Sequence, residues 1–148
     1  WKKIPLSKDV DHKNINLKIN HMELKEGFAV NVGNPHLVFF VKDCFKYNLE
    51  KIGPIIENHE LFPEKVNVTF AQIKDAKNIL VNVWERGAGL TKACGTAACA
   101  TGVVAFEKKL TGNNTNIHFK EGFLNIEYNG SISMTGPVSD IEKVRLKL

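Results

Sequence analysis

The 148-residue sequence predicts an α+β domain in which a sheet of many short strands wraps around one strongly apolar helix. Three observations point to this class. Short segments of alternating or continuous apolar character recur along the chain, separated by Gly, Asn and Pro. The stretch TAACATGVVAFEKK, Thr96 to Lys109, is apolar on most sides of a helix, so it belongs inside a core rather than on its surface. A hydrophobic content of 43% and a charged content of 24% are those of an ordinary globular chain, and this length is enough to build a real core.

The elements follow in order. WKKIPLSKDVDHKN is polar, carries Pro5 and reads as an opening segment without regular structure. INLKI (Ile15 to Ile19) and FAVNVG (Phe28 to Gly33) alternate apolar and polar residues, as half-buried strands do. HLVFFV (His36 to Val41) is continuously apolar and predicts a strand covered on both faces. Between them VGNPH is a turn, with Gly33 free to adopt unusual dihedrals and Pro35 unable to donate to a ladder. Tyr47 to Pro63 shows helical spacing at Leu49, Ile52, Ile55 and Ile56, with Asn48 as N-cap and Gly53-Pro54 expected to kink or restart the helix. VNVTFAQI and NILVNVW are strands joined by a turn near Lys74 to Lys77. After the apolar helix, NIHF, LNIEY, SISMTG and KVRLKL close the chain as short strands. With no repeat and no low-complexity stretch, residues 1–148 are expected to form a single domain.

Composition narrows the function. The net charge of +4 comes almost wholly from lysines interspersed with acids, and Arg86 and Arg145 are the only arginines, so neither a basic stripe nor a nucleic-acid motif is present. No apolar run approaches a membrane span and no signal peptide is apparent, so no membrane partner is expected. Three cysteines, Cys44, Cys94 and Cys99, without an export signal favour a reducing, cytoplasmic compartment. Their spacing fits no common zinc motif, so no metal is expected. The start at Trp1 rather than at methionine is read as a processed or excised chain.

Candidate chemistry gathers in WERGAGLTKACGTAACATG, Trp84 to Gly102. Gly95 and Thr96 turn the backbone into a helix whose first N–H groups lack intrahelical acceptors and attract a carboxylate or phosphate. A thiol at that place, Cys94, is expected to have its pKa lowered by the same field. The small residues Ala97, Ala98, Ala100 and Gly102 leave the helix start open to a ligand. A buried structural thiol is the competing reading, since Ala/Cys/Gly helices also exist simply to pack closely. Cys99 and Cys44 fit that structural reading. Glu85 and Arg86 end a strand and enter a glycine loop leading to Cys94, so both can face one anion site; an Arg pairs bidentately with a carboxylate and Glu binds an ammonium. A surface ion pair is the alternative for these two.

VGNPHLVFF, VNVTFAQI and VWERGAGLTKACGTAACA, in this order and spacing, resemble the second half of the diaminopimelate epimerase family. The resemblance runs from WKKIPLS to MTGPV. It implies a mixed, barrel-like sheet around a central helix, and cofactor-independent interconversion of LL- and meso-diaminopimelate by two cysteines on opposite faces of the α-carbon. By position it implies that Cys94 is the second catalytic cysteine and that the Gly95 and Thr96 N–H groups hold the α-carboxylate. Asn34, Asn67, Glu85 and Arg86 are implied to bind the distal end of the substrate, and His36 to sit by the thiols with Glu85. The asparagine-glycine-x-arginine-cysteine segment of the family's first half does not occur here, and Cys44 in KDCFKY does not replace it. The implied partners are therefore diaminopimelate, an N-terminal half on which the tail from about 136 to 148 packs, and a second copy in a homodimer. This chain alone is expected to be inactive. Two other readings compete: a different cofactor-independent racemase of the same fold, against which ERGAG and the two asparagines speak, and a non-catalytic binding domain, against which the intact Cys94 segment speaks.

Overall fold

A computed structural model describes residues 4–138. The strand KVRLKL and most of the expected tail from 136 to 148 lie outside the described residues. The strands are β1 (Ile15–Ile19), β2 (Met22–Asn31), β3 (Pro35–Phe40), β4 (Asn67–Asp75), β5 (Asn78–Glu85), β6 (Gly89–Leu90), β7 (Asn114–Phe119), β8 (Gly122–Tyr128) and β9 (Ile132–Thr135). Two helices interrupt them, α1 (Leu49–Glu57) and α2 (Gly95–Glu107). The strands join in one mixed sheet of order β1-β2-β3-β4-β5-β7-β8-β9, with β6 paired on β5. Neighbours run antiparallel except β3 with β4 and β5 with β7. A parallel pair needs a crossover, and each of the two crossovers carries one helix.

Alternation along the strands divides the interior in two. Leu37, Phe39, Val68 and Phe70 turn to one face with Leu49, Ile52 and Ile56 of α1. Val38, Ala71, Ile79, Val81 and Val83 turn to the other with Ala97, Ala98, Ala100, Val104 and Ala105 of α2. β3 is therefore covered on both sides, as its unbroken apolar run requires. The sheet curls around α2, which touches β2, β3, β4, β7, β8 and β9, whereas α1 packs outside against β1, β4, β5 and β6.

The first helix differs from expectation in two respects. It runs straight through Pro54, and Ile55 on its supposed apolar stripe is 40% exposed while Glu57 is buried. Asn48 caps the helix, accepting from the Lys51 N–H at 3.2 Å. Gly53 lies flat against the Trp84 indole, where any Cβ would overlap the ring, so tertiary packing offsets the hydrogen bond that proline cannot make. The hairpin piece β6 was not apparent in the sequence, because two residues carry no period. No helix among the described residues is long and apolar enough to cross a membrane.

Close approach of α2 to the sheet depends on Gly102, where a Cβ would lie 2.8 Å from Ile126 Cγ2 and 3.1 Å from its Cβ. Ile126 is itself buried and β-branched, so it has little freedom to withdraw. Gly102→Ala should therefore destabilise the chain by about 1–2 kcal/mol, even though alanine is the better helix former by about 1 kcal/mol. Urea denaturation reads the difference, and an unchanged or raised midpoint would contradict this packing.

Candidate functional site

The ends of β3, β4 and β5 and the start of α2 meet at one edge of the sheet. Register decides which residues arrive there: His36 pairs with Asn67 across the parallel β3–β4 ladder, and Val68 with Trp84 across β4–β5. Asn34 stands just before β3, and Glu85 closes β5. Cys94 is the N-cap of α2 in extended conformation, and the first helical bond runs from the Ala98 N–H to the Cys94 carbonyl. The N–H groups of Gly95, Thr96 and Ala97 therefore precede the first acceptor that the helix can supply.

A chain of polar contacts ties these segments together. His36 Nε2 lies 2.9 Å from Asn34 Oδ1, Asn34 Nδ2 donates to Thr96 Oγ1 at 3.4 Å, and the Thr96 hydroxyl lies 3.5 Å from Cys94 Sγ. Since an amide oxygen only accepts, Nε2 carries the imidazole proton; Nδ1 is left buried and without a hydrogen-bond partner among the described residues. Asn67 staples two loops: its Nδ2 donates to the Pro35 carbonyl and its Oδ1 accepts the Arg86 N–H, both at 2.9 Å. One amide hydrogen of Asn67 remains beyond these two bonds. The Arg86 guanidinium donates to the Glu64 carbonyl at 2.9 Å, while the residue as a whole stays exposed.

All eight residues singled out from the sequence thus meet at this edge: Asn34, His36, Asn67, Glu85, Arg86, Cys94, Gly95 and Thr96. His36 is fully buried and its hydrogen bond reaches Asn34. One detail differs from expectation. The Cys94 pKa is raised, not lowered: burial pushes it up, and a hydrogen bond to Glu85 and the Glu85 charge add to that, against the opposing pull of the Thr96 hydroxyl and the Ala97 N–H. The helix field is present but loses to desolvation and a neighbouring carboxylate. His36 is pushed down to about 4 by burial and then by the Arg86 charge, so it is neutral at physiological pH.

Three residues were missed by sequence reasoning. Glu57, at the end of α1, accepts from the Trp84 indole N–H at 2.7 Å and from the Gly87 N–H at 3.1 Å. Met134 of β9 lies beside the helix start, its Sδ and Cε 3.3 Å from where a Gly95 Cβ would be. Nothing local in the sequence marks Glu57, Trp84 or Met134; only the tertiary arrangement does. Cys44 is fully buried with its pKa pushed up to about 11, and Cys99, on α2, packs partly buried against the inner core, both in keeping with structural thiols.

Two pH effects follow. Alkylation of Cys94, followed by peptide mass spectrometry, should accelerate with a midpoint above the ordinary thiol value of 9.0. Glu85→Gln removes a group that raises the pKa, so it should speed alkylation at pH 8 several-fold; a slower reaction would contradict the assignment. Folded His36 resists protonation down to about 4, whereas the unfolded chain takes up that proton near 6.5. Its contribution to stability is therefore full above pH 6.5 and is lost as the pH falls towards 4, by up to about 3 kcal/mol. Urea midpoints across that window should fall less steeply in His36→Gln than in the unaltered chain, and equal slopes would refute the point.

Comparison with known proteins bears on this site. Residues 28–141 match the family model described as diaminopimelate epimerase. The diaminopimelate epimerase of Pelagibacter ubique (strain HTCC1062) is 52% identical, over 100% of this chain and 56% of that protein. That of Rhodopseudomonas palustris (strain BisB18) is 42% identical, over 94% of this chain and 51% of that protein. The chain spans about half the length of the curated relatives it matches. Among solved structures, a phenazine biosynthesis protein of the PhzF family from Enterococcus faecalis superposes with a TM-score of 0.50 at 19% identity, over 70% of this chain and 38% of that one, which is a likeness of fold. With more than three quarters of its residues inside the family match, the chain belongs to the diaminopimelate epimerase family.

Proposed function

We propose that this chain is the C-terminal half of a diaminopimelate epimerase and supplies one of two cysteines that exchange the α-proton of LL- and meso-diaminopimelate. The observation that carries the reading is the convergence of Cys94, Thr96, Asn34 and Glu85 at the first turn of α2, a thiol and a carboxylate-binding helix start in one place. The α-carboxylate docks on the Gly95 and Thr96 N–H groups, where the positive end of the helix stabilises charge that grows as the α-carbon loses its proton. Asn34, Asn67, Glu85 and Arg86 receive the distal amino-acid end: carboxylate to Arg86, ammonium to Glu85.

The raised pKa of Cys94 gives it a definite part in the cycle. At neutral pH it rests as a thiol and is the proton donor for one direction of inversion. A thiolate on the opposite face of the α-carbon, from the N-terminal half, removes the proton in that direction, and the roles reverse for the return. Neutral His36 holds Asn34 in place and adds no cation to the thiol environment. The free cysteines Cys44, Cys94 and Cys99 support a reducing, cytoplasmic setting. The Glu85–Arg86 corner and its two stapling asparagines favour this substrate over those of other cofactor-independent racemases.

One base cannot invert a carbon through opposite faces, so the 148-residue chain alone should show no turnover of LL-diaminopimelate. Joined to the N-terminal half of the Pelagibacter ubique relative, it should turn the substrate over, and Cys94→Ala in that protein should lower kcat by at least about a thousandfold. Chiral analysis of the products measures both. Turnover by the isolated chain that Cys94→Ala abolishes would defeat the two-half reading, and full activity of the joined Cys94→Ala variant would defeat the assignment of the base.

A further inference from the structure

Glu57 is a buried carboxylate that the mechanism above does not use. It closes α1 on the outer face of the sheet, only 5% exposed, yet both of its oxygens point to the strand end that bears the distal-end residues. Oε2 accepts from the Trp84 indole N–H at 2.7 Å, and Oε1 accepts from the Gly87 backbone N–H at 3.1 Å. These two donors flank Glu85 and Arg86 in the chain. Gly87 has a left-handed φ of +77°, so the corner is a sharp turn and not a continuation of β5. Arg86 between them is fixed at its own N–H by Asn67 and through its guanidinium by the Glu64 carbonyl. Trp84, Arg86 and Gly87 are thus each held by a partner outside the corner, and two of those bonds end on one carboxylate.

We infer that Glu57 is a positioning residue that locks the Glu85–Gly87 corner, so that Glu85 and Arg86 meet the distal amino-acid end of the substrate in a preset geometry. This rests on the functional reading given above. A carboxylate suits the task because it accepts two N–H bonds at once, whereas an amide has one accepting oxygen and would turn its NH2 towards a donor. Lys65, with its Nζ 3.8 Å from Oε1, is half-exposed and adds charge balance, not the lock. Gly53 completes the arrangement by letting α1 lie against the Trp84 ring, which brings Glu57 within reach of both donors.

The test has two arms. In the 148-residue chain, hydrogen exchange by NMR should show the Gly87 amide and the Trp84 indole N–H exchanging well below the rates of an unstructured peptide, and Glu57→Gln should remove that protection. In the joined two-half protein, Glu57→Gln should raise KM for diaminopimelate roughly tenfold while kcat changes less than about threefold, because binding of the distal end is lost alike in ground and transition states. Lys65→Met should leave both constants within about twofold. A purely structural Glu57 would instead lower the melting temperature and the active fraction with KM unchanged, and that result would overturn the inference. So would rapid exchange of both N–H groups in the unaltered chain, a result that does not depend on the variant folding. An inactive joined protein with both N–H groups protected only when Glu57 is present would sink the functional reading and leave the positioning role standing.

Discussion

Everything at the candidate site depends on the register of the three strands β3, β4 and β5. Side chains of a strand alternate between faces, so a slip of β4 by one residue would send Asn67 to the wrong side and carry Val68 and Phe70 out of the α1 core. The slip is opposed from both faces, since residues of β3 and the first half of β4 are buried on each. Asn67 adds a polar check at the very end of the ladder. Its amide reaches the Pro35 carbonyl on one neighbour and the Arg86 N–H on the other, a pair of bonds that only one register permits. The asparagine that the family resemblance assigns to substrate is, by its contacts here, also the pin that holds the two loops of the site at a set distance.

The start of α2 must lie close under these strand ends, and its composition follows from that need. Ala97, Ala98 and Ala100 are fully buried, and larger side chains would push Cys94 and Thr96 away from Asn34. Close packing has an electrostatic consequence. The sulfur that the helix field should acidify is also stripped of water and set beside Glu85, and the balance falls on the side of the thiol. The same burial keeps His36 neutral with Arg86 nearby. The site thus holds a protonated sulfur and an uncharged imidazole near Glu85 and Arg86, so ionic attraction is concentrated at the Glu85–Arg86 corner and at the helix start.

Much of this was legible in the sequence. The unbroken run HLVFFV foretold a strand covered twice, the expected VGNPH turn is shorter than its sequence suggests because Pro35 and His36 already pair in β3, and the Asn48 cap and the Cys94-Gly95-Thr96 helix start lie where local patterns put them. Those are features whose physics is confined to a few adjacent residues. What could not be read is whatever depends on two distant segments meeting. The direction of the Cys94 pKa shift turned on burial and on Glu85, neither of which the helix-start pattern reveals. Ile55 falls on the apolar stripe by hydropathy yet is exposed, while Glu57, which no local pattern marks, is buried because the Trp84 indole N–H gives its carboxylate a donor.

The two helices serve the same edge of the sheet from opposite faces, and this arrangement has a functional logic. On the proposed function, the substrate has an amino-acid group at each end and presents the same charges twice, so the site needs two unlike receptors at a set separation. The helix start of α2 offers unpaired N–H groups beside a thiol, and the Glu85–Gly87 corner offers a carboxylate beside a guanidinium. The first receptor is positioned by direct packing of α2 inside the curled sheet. The second is tied, through Glu57 and Trp84, to α1 on the outer face. Because β4 touches both helices, the distance between the helix start and the corner is set by the rigid sheet, and on the proposed function strict choice of substrate becomes a property of strand register.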